Sequence, residues 1–277
     1  LVLMETLADF ATVQYFAVNT LTTAVYDTWL EYGELSTANA IASFLMIMVL
    51  LSVAAEYRAR AHQRQQSKAS KAPADIIQLT LPQQIMGNIY CWLLVLAGFL
   101  LPLILLMDMT IQYLDSTEFE QLIGSGVNSL KVSVYAATIA SVMALFLVLY
   151  RRLSGVKKSE IPLQLSGYGY AIPGTVLAMA LLATFGPLDH WINDVAVWLN
   201  LPKPGLVLSG SLFAVIFALI TRFSAIANGT ITSGMTKIPQ SLDIAPESLG
   251  VGKWQTVIKV HLPLLKSSFI VAWLLVF

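Results

Sequence analysis

Charge and cysteine are both scarce in this sequence. Only 12% of its 277 residues are Asp, Glu, Lys or Arg, and Cys91 is its one cysteine. A solvated globular domain carries about 25% charged residues, so this chain falls outside that class. One cysteine makes neither a disulfide framework nor a CxxC metal site. The 16 Lys and Arg are balanced by 16 Asp and Glu, which leaves no basic excess for nucleic acid. Catalytic signatures are missing too: there is no GxSxG elbow, HExxH pair or GxGxxG turn. Gly250-Val251-Gly252-Lys253-Trp254 is no phosphate loop, because Glu247 and Trp254 stand where that motif needs Gly and Ser or Thr. His62, His190 and His261 share no local spacing, so no metal cluster is expected.

What the chain has instead is apolar residues, 57% of the total. About 20 mostly apolar residues cross a bilayer as a helix. Such runs occupy Ala38 to Ala55, Ile85 to Met107, Val132 to Tyr150, Tyr168 to Phe185 and Leu206 to Arg222. The expectation is an all-α membrane protein with five complete spans. Leu1 to Phe10 begins inside an apolar stretch, and Ser267 to Phe277 is too short to span. The sequence thus reads as a piece of a longer protein with a truncated helix at each end.

The basic residues orient these spans. With alternate loops on one side, all the Lys and Arg except Lys131 and Lys203 fall on a single face, which the positive-inside rule makes cytoplasmic. Acidic residues such as Glu31, Asp108 and Asp189 fall opposite. Glu56 to Gln84, rich in Gln, Ser and Lys, reads as a cytoplasmic tether that separates residues 1–55 from 85–277. Phe223 to Leu262 is the longest polar interruption on the inner side. Within it, Leu249, Val251, Trp254, Val257, Ile258 and Val260 recur at spacings near 3 and 4, which predicts an amphipathic helix over Pro246 to Val260, with Pro246 in its first turn and Pro263 ending it. Its polar face is poor in Lys and Arg, which favours docking to a protein over anchoring on lipid.

This loop resembles the cytoplasmic signature of binding-protein-dependent ABC importers of the type I fold, E-A-A-x-x-x-G followed by I-x-L-P. The matching residues are Ile244, Ala245 and Pro246, then Gly250, then Val260, His261, Leu262 and Pro263. Ile244 replaces the family glutamate and Pro246 its second alanine, so Asp243 or Glu247 would have to take over any pairing that glutamate makes. The segment Leu3 to Phe10 with Thr12-Val13, Tyr15-Phe16 and Thr20 to Tyr26, together with Tyr170 to Val176 and Arg222-Phe223, is similar to ferric-iron permeases, in which two homologous permease halves are fused.

The resemblance implies a type I transmembrane domain holding the end of one permease repeat (1–55), the linker (56–84) and a second repeat (85–277) with its coupling loop at 223–263. It implies a subunit of an importer in the bacterial inner membrane that performs no catalysis and binds no cofactor, with ATP and Mg held by a dimer of partner ATP-binding subunits and cargo delivered by an extracytoplasmic solute-binding protein. The ATPase contact would fall on Asp243, Ala245, Glu247, Ser248, Leu249, Gly250 and Trp254. Ferric iron is the expected cargo; thiamine, phosphonate or polyamine within the same class, or an ion-coupled secondary transporter, are the alternatives. Four further residues are candidates for a gate or pathway. Glu5 and Asp9, spaced i, i+4, share one helical face and could offer oxygen ligands to a hard cation; the competing reading has both hydrated at the outer interface. Pro173 and Gly174 interrupt the fourth run and could shape a gate, or be a static kink.

Overall fold

The computed structural model describes residues 6–63, 79–113, 119–154, 160–239, 241–248 and 250–277. These residues form helices and no strands, and six helices are long and apolar enough to cross a membrane. They are α3 (Leu35–Gln63), α4 (Leu81–Gln112), α5 (Phe119–Ser154), α7 (Gly174–Trp198), α8 (Leu212–Thr236) and α10 (Lys253–Val276). Shorter helices sit between them: α1 (Ala11–Tyr15), α2 (Leu21–Leu30), α6 (Glu160–Gly167) and α9 (Ser241–Ser248). The coarse expectation, an all-helical chain of multi-pass membrane composition, therefore holds, and the span count rises from five to six.

The sixth span comes from Ser267 to Phe277, which is no stub but the end of α10. Pro263 does not stop that helix. Proline lacks an N–H and its ring crowds the carbonyl four residues earlier, which here belongs to Lys259. The backbone widens into a π turn over Val257–His261 and runs on. The same device precedes Pro102, where a π turn covers Leu96–Leu100 within α4.

Other boundaries move for local reasons. The fourth span begins only at Gly174: Ile172 is extended before Pro173, as residues before proline prefer, and Pro173 caps the helix. Pro173 and Gly174 thus start this span and do not break it. It continues through Gly186 and Pro187 to Trp198, thirteen residues beyond Phe185, where the apolar run ends. The fifth span begins at Leu212, where the Ser211 hydroxyl accepts from the Phe213 N–H, and ends at Thr236. Its polar inner half stays helical because its hydroxyls turn back on the chain: Ser224 donates to Thr221, Thr230 to Ile226 and Thr236 to Ser233. The supposed forty-residue interruption shrinks accordingly. The expected helix over Pro246 to Val260 is likewise divided, with Pro246 inside α9, a turn at Gly250 and the start of α10 at Lys253. The first eight residues of the expected tether, 56–63, extend α3.

The chain divides into two compact units, residues 1–60 with 130–277, and residues 61–129. In the first unit, small residues set the packing. Ala136, Ala140 and Ala144 recur every fourth position of α5 and are buried, a stripe that lets backbones approach closely. Ala144 and Val148 pack with Ala227, Ile231 and Met235 of α8 and with Val257, Leu265 and Ala272 of α10. Gly234 faces Ser268 so tightly that a Cβ there would overlap the serine side chain. A second cluster joins Ala38, Ala42, Leu45 and Val49 of α3 to Val25 of α2 and to Val176 and Met179 of α7. In the second unit, the apolar side chains of α4 are exposed along its whole length, with Leu100 alone half-buried. That surface is untenable in water and suits a lipid solvent.

Candidate functional site

Three places gather polar groups inside this apolar frame. The first lies at the cationic end of the bundle. Arg152, in the last turn of α5, donates from Nε to Oδ2 of Asp243 at 2.7 Å and from a terminal nitrogen to the carbonyls of Ile238 (3.1 Å) and Pro239 (3.2 Å). Nε2 of His261 lies 3.0 Å from Oδ1 of Asp243, in an orientation too oblique for a hydrogen bond. His261 is fully buried within the π turn of α10. One carboxylate on α9 is thereby tied to α5 and α10, and Arg152 also holds the two carbonyls that follow α8.

The expected ATPase-contact residues separate here into two kinds. Asp243 turns inward, with Oδ2 bonded to Arg152 and Oδ1 beside His261, so it anchors α9 to the bundle. Trp254 is exposed, at 68%, as is Ile244, which is outside that set and stands in place of the family glutamate. Between them Gly250 takes φ +73°, a conformation that glycine adopts without strain, and a side chain there would meet nothing within 4 Å. Ala245, Glu247 and Ser248 contribute backbone to α9, their side chains being outside the described ones; Leu249 lies outside the described residues altogether. Arg152 and His261 were missed in the sequence, although an arginine ending one apolar run and a histidine inside the signature were visible signals.

The second place is a cavity of about 750 Å³ within the first unit, bordered by residues 6–12, α2, α7 and α8. Asp9, Gly174 and Thr175 line it, with Tyr26, Trp29 and Arg222. Oδ1 of Asp9 accepts from the Thr12 N–H at 3.2 Å and so caps the start of α1. Pro173 is buried beside it as the cap of α7. Glu5 lies outside the described residues. Arg222 is the residue that the sequence misplaced. Taken as the inner end of a span, it is instead the eleventh residue of α8, about 15 Å along that helix. It is a charged group near the midplane, where the apolar runs had offered none beyond Glu5 and Asp9. Ser211, a capping residue that marks the true start of α8, was the signal that could have placed it.

A third arrangement holds the loop at the opposite end of the bundle from Asp243. Buried Asp189, on α7, accepts from the backbone N–H groups of Leu208 and Ser209, each at 2.8 Å, and from the Ser209 hydroxyl at 2.6 Å. Asn193, one turn on, pairs with both backbone groups of Gly205. Asp189, counted in the sequence only among the acidic residues opposite the cations, is therefore a structural clamp. Among the described residues no group of three or more His, Cys, Asp or Glu could hold a metal ion. No protein-family model, curated protein or solved structure matches the chain.

Proposed function

We propose that the chain is a transmembrane permease subunit of an ATP-driven, binding-protein-dependent importer of the type I ABC class, with ferric iron as the expected cargo. Separate ATP-binding subunits would hydrolyse ATP and a solute-binding protein would deliver cargo on the outer face. The observation that carries the reading is the pair α9 and the start of α10, joined by the positive-φ turn at Gly250 and fastened through Asp243 to Arg152, with His261 alongside. A docked partner pushing on exposed Ile244 and Trp254 would act on a segment braced against the long helices. Such a braced, protruding turn is what transmission of a mechanical stroke requires, and the sequence pattern from Ile244 to Pro263 supports the class.

The test is co-purification of the full-length protein with the ATP-binding subunit encoded beside it, comparing wild type with Gly250→Asp and Trp254→Ala, followed by uptake of radioactive iron in the same cells. The expected result is association in wild type, its loss in both variants and a matching fall in uptake. Absence of any ATPase from the wild-type preparation would overturn the class, whereas association without iron uptake would overturn the cargo. A second reading, an ion-coupled secondary transporter, is favoured by one observation, the membrane-embedded Arg222; uptake abolished by a protonophore but unaffected by ATP depletion would select it.

A further inference from the structure

Arg222 sits where a cation is hard to keep. It lies midway along α8, and it lines the 750 Å³ cavity. Its Nε is buried and has no acceptor among the described residues, and its guanidinium lies over the face of Phe223, at 5.7 Å. Among the described residues no carboxylate pairs with it; Asp9, on the same cavity, accepts from the Thr12 N–H at the start of α1. The guanidinium also lies against the first turn of α7, so closely that a Cβ on Gly174 would come within 2.9 Å of a terminal nitrogen. The N–H groups of that turn have no side-chain cap, and the end of a 25-residue helix presents them with partial positive charge. The Thr175 hydroxyl, on the same turn, is buried without a partner. A guanidinium, a helix start without a side-chain cap and a hydroxyl thus meet at the border of one cavity, and among the described residues Nε of Arg222 and Oγ1 of Thr175 have no hydrogen-bond partner.

We infer that the Arg222 cavity binds a small oxyanion, a carboxylate- or phosphate-type group held by the guanidinium, the N–H groups that begin α7 and the Thr175 hydroxyl. A guanidinium and a helix start repel each other unless an anion lies between them, and oxyanion geometry matches both. A bare metal cation would be repelled by the same groups. On the permease reading, on which this part alone rests, the cargo therefore passes as an anion: a phosphonate-like acid, or iron wrapped in an anionic carboxylate chelator. The cavity is large enough for such a molecule, and Tyr26 and Trp29 give it an apolar wall.

The test uses the full-length protein in detergent stripped of lipid, with equilibrium dialysis against radiolabelled inorganic phosphate and citrate. Saturable binding of at least one is expected. It should weaken about tenfold or more in Arg222→Gln, be partly retained in Arg222→Lys, and weaken in Gly174→Ala, whose new methyl displaces the guanidinium while leaving its charge. Binding of neither probe at millimolar concentration, or equal binding by wild type and Arg222→Gln, overturns the inference. Mass spectrometry of lipid left on the protein covers the other source of such a group: a phospholipid retained by wild type, lost in Arg222→Gln and blocking both probes would make the cavity a headgroup site and overturn the small-molecule assignment. ATPase co-purification in the same variants should be unchanged, so failure of the importer reading and failure of the anion site are read separately.

Discussion

Replacing Asp243 by alanine tests the anchor that holds α9 to the bundle. Removing one partner of a fully buried ion pair costs roughly 3–5 kcal/mol, while an exposed pair is worth about 1 kcal/mol or less. The pair with Arg152 lies between these limits, its side chains being 16% and 30% exposed. Arg152 also keeps two carbonyl acceptors after the change, at Ile238 and Pro239, which lowers the cost. About 2 kcal/mol is expected, equivalent to roughly 30-fold in an opening equilibrium. Because the contact fastens one short helix, the effect should be local. Hydrogen exchange of the full-length protein in lipid nanodiscs should show the amides of α9 exchanging about 30-fold faster, with α7 unaffected. Arg151→Ala supplies the contrast: its 3.0 Å pair with Glu160 is 41% and 47% exposed, so protection there should change by no more than about fivefold. Equal protection of α9 in wild type and Asp243→Ala would refute the anchoring argument.

Three further outcomes follow from the packing. Gly234→Val should push α8 from α10 at Ser268 and cost about 1–3 kcal/mol, seen as a lower thermal midpoint of the detergent-solubilised protein; an unchanged midpoint would mean the two helices are not in close contact. Gly250→Ala meets no atoms, so its cost should be that of the left-handed backbone alone, about 1–2 kcal/mol, measurable as faster exchange at residues 250–254. Asp189→Asn should lose roughly 1.5–3 kcal/mol of charge-assisted bonding to Leu208 and Ser209 and expose the 199–211 loop to protease; equal cleavage rates would show that the loop is held by other contacts.

The long spans were legible because α4 and α5 contain apolar runs that no soluble helix needs, and chain chemistry could not hide them. Boundaries were less legible where polar residues occur inside a span. Ser224, Asn228, Thr230 and Ser233 make the inner half of α8 look like a loop by composition, yet the hydroxyls of Ser224 and Thr230 donate to the backbone one turn back and the Asn228 amide donates to Ser166 of a neighbouring helix. Arg222 was misread for the same reason, since a cation ending a hydrophobic run resembles a boundary until its helix is located by the cap at Ser211. The network of Arg152, Asp243 and His261 was out of reach, because it joins positions 91 residues apart and further through contacts that no local spacing encodes. Pro263 misled through a rule that holds in water-exposed helices and yields where a π turn absorbs the strain.

That π turn carries a consequence for the numbering of faces along α10. One turn of this kind contains an additional residue relative to an α-helix, so everything beyond it is rotated by about 100°. Trp254, before the turn, and Leu265 and Ala272, after it, lie on opposite sides of that phase shift. The exposed head of the helix and its packed stem are set at different angles by a single inserted position between Val257 and His261. Deleting one residue there together with Pro263→Ala would restore an uninterrupted α-helix and swing the indole of Trp254 through that angle, while Leu265 and Ala272 kept their places against α8. The direction in which the protruding end faces is therefore written in the length of the chain, independently of the side chains that form either surface.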